Sequence, residues 1–164
     1  MTSGPVADIH VLAAIVALLA GAGVFFKRKG TLLHRRIGYA YIASMLVLNL
    51  SALLLYSRTG KFGPFHLAAS ISLATVIAGA APAILRRPKL GWLPLHWEFM
   101  SWSYVGLFAG LVAESAIRLP GAPYWPVIVT ASLATFVIGG VLIYRSRSSM
   151  RRIVRARQVA APDP

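Results

Sequence analysis

Five apolar stretches, each close to the length of a membrane crossing, divide this chain of 164 residues. They run from Ile9 to Phe26, Ile37 to Ser57, Phe65 to Leu85, His96 to Ile117 and Tyr124 to Tyr144. A helix rises about 1.5 Å per residue, so about 20 residues cross the hydrocarbon core. The expected fold is all-α: an integral membrane protein of five transmembrane helices. Short loops force antiparallel neighbours, so the first four should form an up-and-down bundle. Residues 1–144 then make the transmembrane domain and 145–164 a basic cytoplasmic tail.

Composition agrees. Hydrophobic residues make up 57% and charged residues 13%, against about 25% charged in soluble domains. The net charge is +13, from 17 basic and 4 acidic side chains. Such an excess often marks a nucleic-acid binder. Here the basic residues sit in short clusters between apolar runs, the pattern of cytoplasmic loops, so no nucleic-acid partner is expected. The tail reads as a solvated extension near anionic headgroups. With no cysteine, disulfide, thiolate-metal and thiol chemistry are excluded.

The first stretch lacks the form of a signal peptide. No basic residue precedes it, and Lys27-Arg28-Lys29 stands where a cleavage site would be. One set of loops carries Lys27, Arg28, Lys29, Arg35, Arg36, Arg86, Arg87, Lys89, Arg145, Arg147, Arg151, Arg152, Arg155 and Arg157. The opposite set carries Arg58, Lys61 and Arg118. That asymmetry predicts an N-terminus outside and a C-terminus in the cytoplasm, in a bacterial inner membrane. Thr31 is placed to cap the second helix, while Pro64 and Pro94 precede the third and fourth. Pro120, Pro123 and Pro126 mark the loop before the fifth.

Four histidines, His10, His34, His66 and His96, each fall near the start of a different one of the first four helices. Alternating helix direction puts His10 and His66 near the outer face and His34 and His96 near the cytoplasmic face. In a four-helix ring the first and third helices are diagonal, as are the second and fourth. Each diagonal pair can present two imidazoles to the axis, a standard way to hold a low-spin haem. Four residues after each histidine stand Ala14, Gly38, Ser70 and Met100. Three are small, which suits a flat macrocycle and equally suits close helix packing. Gly106 and Gly110 form a further packing motif. The expected cofactors are two haem b groups, with the four histidines as iron ligands. One site using all four is not expected, because metal–nitrogen bonds are about 2 Å long and the two pairs should stand most of a membrane thickness apart. A two-histidine zinc site with Asp8 or Glu98 lacks a motif such as HExxH.

Of the acids, Asp8 is placed to bond His10 or cap the first helix, and Asp163 lies in the tail. Glu98 follows His96 by two residues, and Glu114 stands one turn before Arg118, where a local ion pair competes with proton handling. Arg35, Arg36 and Lys61 are candidate partners for haem propionates. Trp92, Trp97, Tyr124 and Trp125 read as an aromatic belt. Trp102 and Tyr104 lie deeper, suited to packing or to a cofactor pocket.

His34-Arg35-Arg36-Ile37-Gly38-Tyr39, Gly63-Pro64-Phe65-His66, Ser72-Leu73-Ala74-Thr75, and His96 followed by Ser103-Tyr104-Val105-Gly106-Leu107 resemble a family of small bacterial membrane proteins catalogued as a domain of unknown function. That resemblance covers about residues 8 to 118. A more distant one is to the two-haem b-type cytochromes that pass ascorbate electrons across membranes. There, four histidines on consecutive helices pair first with third and second with fourth. It implies His10 with His66 and His34 with His96. This chain departs from that pattern in having five helices rather than six, and ligands very near the helix ends. The leading expectation is a transmembrane electron-transfer cytochrome with a cytoplasmic donor and an outer acceptor. The alternatives are a small proton- or ion-coupled transporter using Glu98, Glu114 and the histidines as proton or ion sites, or an accessory subunit of a membrane complex. The lipid bilayer is the expected partner, with a homo-oligomer left open.

Overall fold

A computed structural model describes residues 4–55, 60–88 and 91–160, with side chains as far as Arg155. Ser57, Arg58, Lys89, Asp163 and the side chain of Arg157 lie outside the described residues. The order is α1 (Pro5–Phe26), α2 (Leu32–Leu54), α3 (Pro64–Leu85), α4 (Trp92–Ala116) and α5 (Tyr124–Ala160). No strand occurs among the described residues. Helices α1, α2, α3 and α5 are long and apolar enough to cross a membrane. A helix satisfies its own backbone polar groups, which lipid demands. Helix α4 has the length, at 25 residues, but is more polar, carrying His96, Glu98, Ser101, Ser103 and Glu114.

The first four helices start earlier than the apolar runs do, for local reasons. Pro5 and Pro64 stand at the first positions of α1 and α3, where a missing N–H costs nothing. Helix α4 likewise takes Pro94 into its first turn. Helix α2 begins directly after Thr31, whose Oγ1 accepts the His34 N–H at 3.2 Å. Helix α5 runs on through the basic segment to Ala160. Arginine, methionine, alanine and glutamine are good helix formers, and no glycine or proline interrupts them there.

Helix α1 packs along α2, α3 along α4, and α4 along α5; a smaller α2–α3 contact and an α1–α4 contact close the ring. The first four helices thus form the expected up-and-down bundle, with α5 outside it on α4. Antiparallel order shows in contacts between early and late residues. His10 near the start of α1 meets Ser51 near the end of α2, and His96 near the start of α4 meets Gly79 in the second half of α3.

Small residues on α1 let large ones reach the axis. Ala13, Ala17 and Gly21 are its buried stripe. A Cβ on Gly21 would strike the Tyr104 ring and stand 3.0 Å from Tyr41. Tyr41 and Met45 of α2 are almost fully buried, as are Val76 of α3 and Ser103 of α4. Tyr41 Oη lies 2.9 Å from Ser103 Oγ, and Ser103 donates its own proton to the Met100 carbonyl at 2.8 Å. Tyr41 is therefore the donor, across the α2–α4 diagonal. We expect Tyr41→Phe to cost about 0.6 kcal/mol, and no more than about 1.7, the range for such bonds between membrane helices. Unfolding in mixed micelles measures it.

Among the described residues nothing packs on the motif expected at Gly106 and Gly110: a Cβ on either meets nothing within 4 Å. Close approach to α4 is made from the other side. Gly139 and Gly140 of α5 sit against Val105 and Trp102.

Candidate functional site: the inward histidines

Each histidine lies on the buried stripe of its helix. His10 precedes Ala13, Ala17 and Gly21 at steps of three and four. His34 is two turns before Tyr41, which continues to Met45 and Leu48. His66 leads to Ala69, Val76 and Ala80. His96 is two turns before Ser103, which continues to Leu107. Residues at these spacings share a helix face. The imidazoles therefore face the bundle, in two groups at opposite ends.

At one end are His34, His96 and Lys29. The two rings are close enough for their charges to interact, and Lys29 acts on both. His96 Nδ1 is 2.8 Å from the Gly79 carbonyl. A carbonyl only accepts, so Nδ1 carries the hydrogen and Nε2 keeps its lone pair. Gly79 supplies the approach, because Met100 packs directly on its bare Cα. Pro82 lies three residues on, inside α3. Its ring lacks an N–H, so the carbonyl left without a helix donor is that of Ala78, one residue before Gly79. A metal-binding histidine typically donates its other N–H in this way. His34 Nδ1 is buried without a hydrogen-bond partner among the described residues. The Val24 carbonyl stands beside the same ring, so an added ligand at Nδ1 would complete a partly satisfied imidazole. Beside His34, a Cβ on Gly38 would meet nothing within 4 Å, so the next turn offers room.

Lys29 Nζ caps the end of α1, donating to the Val24 carbonyl at 2.7 Å and standing 5.4 Å from the Phe25 ring centroid. Partial burial pushes its ammonium below the ordinary lysine value.

At the other end are His10, His66 and Glu114. His10 Nδ1 is 3.0 Å from Ser51 Oγ, and Ser51 spends its proton on the Leu48 carbonyl at 2.9 Å. His10 is thus the donor and its Nε2 carries the lone pair. His66 is arranged the opposite way. Its Nδ1 accepts the Gly63 N–H at 3.1 Å, closing a capping box at the start of α3. The hydrogen of a neutral His66 then sits on Nε2, which leaves no lone pair there for a metal. The Phe62 ring stacks on it at 5.2 Å. Three of the four rings fit a ligand role, and His66 fits it only by giving up its cap.

The acids are occupied locally. Glu114 meets Arg118 at 2.8 Å. Glu98 binds Arg147 of α5 at 2.6 Å and accepts from Trp102 Nε1 at 3.1 Å. The spacing predicted the first pair. Nothing in the sequence pointed to the second, whose partners are far apart in the chain. Both Glu98 and Arg147 are part-exposed, so Glu98→Gln should cost under about 1 kcal/mol. Its clearer sign is faster amide exchange over residues 145–155. Asp8 is exposed in the first turn of α1 and neither caps that helix nor bonds His10. Arg35, Arg36 and Lys61 are exposed. Trp102 packs 6.3 Å from Phe136 of α5, and Tyr104 donates to the Leu18 carbonyl at 3.2 Å, so both serve helix packing. Among the described residues no group of three or more histidine, aspartate or glutamate side chains forms a metal cluster.

A family model described as "Predicted membrane protein (DUF2306)" matches residues 7–145. The match extends beyond the 8–118 segment whose motifs suggested such a family and takes in the apolar part of α5. No curated protein and no solved structure matches the chain. The chain belongs to this family of predicted membrane proteins.

Proposed function

We propose that the chain is a membrane electron carrier that binds haem b between His34 and His96, and a second haem between His10 and His66 once His66 leaves Gly63. All five helices cross a bacterial inner membrane, with the N-terminus outside. The polar α4 is tolerated because α1, α3 and α5 cover it. The observation that carries this reading is the inward placement of four histidines at two levels of one ring.

Bound haem supplies a one-electron couple whose potential follows from its ligands, burial and nearby charge. The chain's own part is to hold and shield. Gly79 fixes the His96 ring with Nε2 free, and Ser51 does the same for His10. Tyr41, Met45 and Val76 fill the space between the two levels and keep water out. Lys29 puts a positive charge beside the cytoplasmic pair.

Electron paramagnetic resonance of the oxidised protein tests the ligation. Two imidazoles give a low-spin ferric signal. A wholly high-spin signal contradicts paired histidines.

A second reading, an accessory subunit of a larger membrane complex, is favoured by the open space at Gly106 and Gly110. Purification with one stoichiometric partner and no chromophore would be its signature.

A further inference from the structure

Helix α5 ends in a concentration of positive charge that, among the described residues, is paired with a carboxylate only at Arg147. Arg145, Arg147, Arg151, Arg152 and Arg155 gather along one open cleft immediately after Tyr144. Arg147 is taken by Glu98. The other acids are elsewhere: Glu114 holds Arg118 and Asp8 starts α1, both at the opposite end, while Asp163 is outside the described residues. Arg145, Arg151, Arg152 and Arg155 meet no carboxylate among the described residues.

Position selects the counter-charge. The apolar part of α5, Tyr124 to Tyr144, is about 31 Å long at 1.5 Å per residue, one hydrocarbon thickness. Arg145 therefore falls at the depth of the lipid phosphates. Arg155 is only about 15 Å further along the helix. Long arginine side chains reach back toward the interface, and the surface field extends about a Debye length, ~8 Å, beyond it. Guanidinium groups bind phosphate oxygens in pairs. Glu98 fixes the base of this arm through Arg147, so the arginines are presented on a held helix.

We infer that Arg145, Arg151, Arg152 and Arg155 form a binding surface for the phosphates of anionic phospholipids in the adjoining leaflet. This rests on α5 spanning the membrane, which labelling of single cysteines introduced at Gly121 and at Ser149 with a membrane-impermeant thiol reagent, in intact against opened cells, checks separately because the chain has no cysteine of its own.

The test is native mass spectrometry of the full chain from nanodiscs of phosphatidylcholine mixed with phosphatidylglycerol. The wild-type protein should retain phosphatidylglycerol in preference to phosphatidylcholine. The fourfold variant R145Q/R151Q/R152Q/R155Q should retain about tenfold less or lower still. The corresponding fourfold lysine variant should keep most of it. Wild-type protein moved to high salt should also lose the preference, a test that stands even if the glutamine variant inserts poorly. Equal retention by the glutamine variant, or retention indifferent to salt, overturns the inference. So does tight binding of an RNA oligomer with no phosphatidylglycerol preference.

Discussion

His34→Ala and His96→Ala each abolish the same haem, while His10→Ala and His66→Ala leave it in place. This all-or-none loss is the largest effect the structure leads us to expect. His34 and His96 lie at one end of the ring, on the buried stripes of α2 and α4. Their rings are electrostatic neighbours. If haem is held as proposed, removing either would leave its iron with one protein ligand. His96→Met separates ligation from folding. A thioether in place of imidazole should keep the haem and raise its potential. A helical, monodisperse His96→Ala protein that retains its full haem content would exclude His96 as a ligand.

The two ends should also differ. His66 holds the start of α3 through Gly63, so ligation there competes with a helix cap worth about 1 kcal/mol. The haem between His10 and His66 should load second and dissociate first. Haemin titration of the purified protein, with the two spectra resolved by the alanine variants, reads that order.

Gly79→Leu should be strongly destabilising. A Cβ at Gly79 would stand 2.8 Å from Met100 Sδ and 3.1 Å from the Met100 backbone nitrogen. The sulfur can turn aside; the backbone cannot. Gly79→Ala alone should cost about 1–3 kcal/mol through overpacking. Leucine adds three more carbons, forces α3 from α4 and breaks the His96–Gly79 bond of 2.8 Å. It should therefore lower both the melting temperature in detergent and haem occupancy, with every histidine intact. Adding Met100→Ala to Gly79→Ala should recover the side-chain part of the loss only. A Gly79→Leu protein that melts with the wild type would mean that α3 and α4 do not approach here.

Much of this arrangement could be read from residue order. Helix number and direction followed from apolar runs, prolines and short loops. The two levels of histidine followed from direction alone. Which way the rings face did not, because helices apolar on all sides carry little amphipathic signal. Facing is set by which residues are small: Ala13, Ala17 and Gly21 mark the inner side of α1 only once Tyr41 and Tyr104 are seen against it. The choice between Gly106-Gly110 and Gly139-Gly140 as the packing pair was closed to sequence for the same reason. Glu98 was visible as a costly membrane carboxylate. Its partner Arg147 lay hidden because the pair is 49 residues apart in the chain and joins two helices, which no spacing rule specifies. The hydrogen positions on His10, His66 and His96 come from partners on other turns or other helices, which spacing does not specify.

Haem ligation by the inward histidines is tested most directly by the absorption spectrum of protein purified in detergent from haem-supplied cells, oxidised and then reduced with dithionite, with haem counted per chain. A sharp reduced α-band with one tightly held haem per chain, and a second under excess haemin, is the expected result. A featureless visible spectrum from folded protein, unchanged by added haemin, would contradict it.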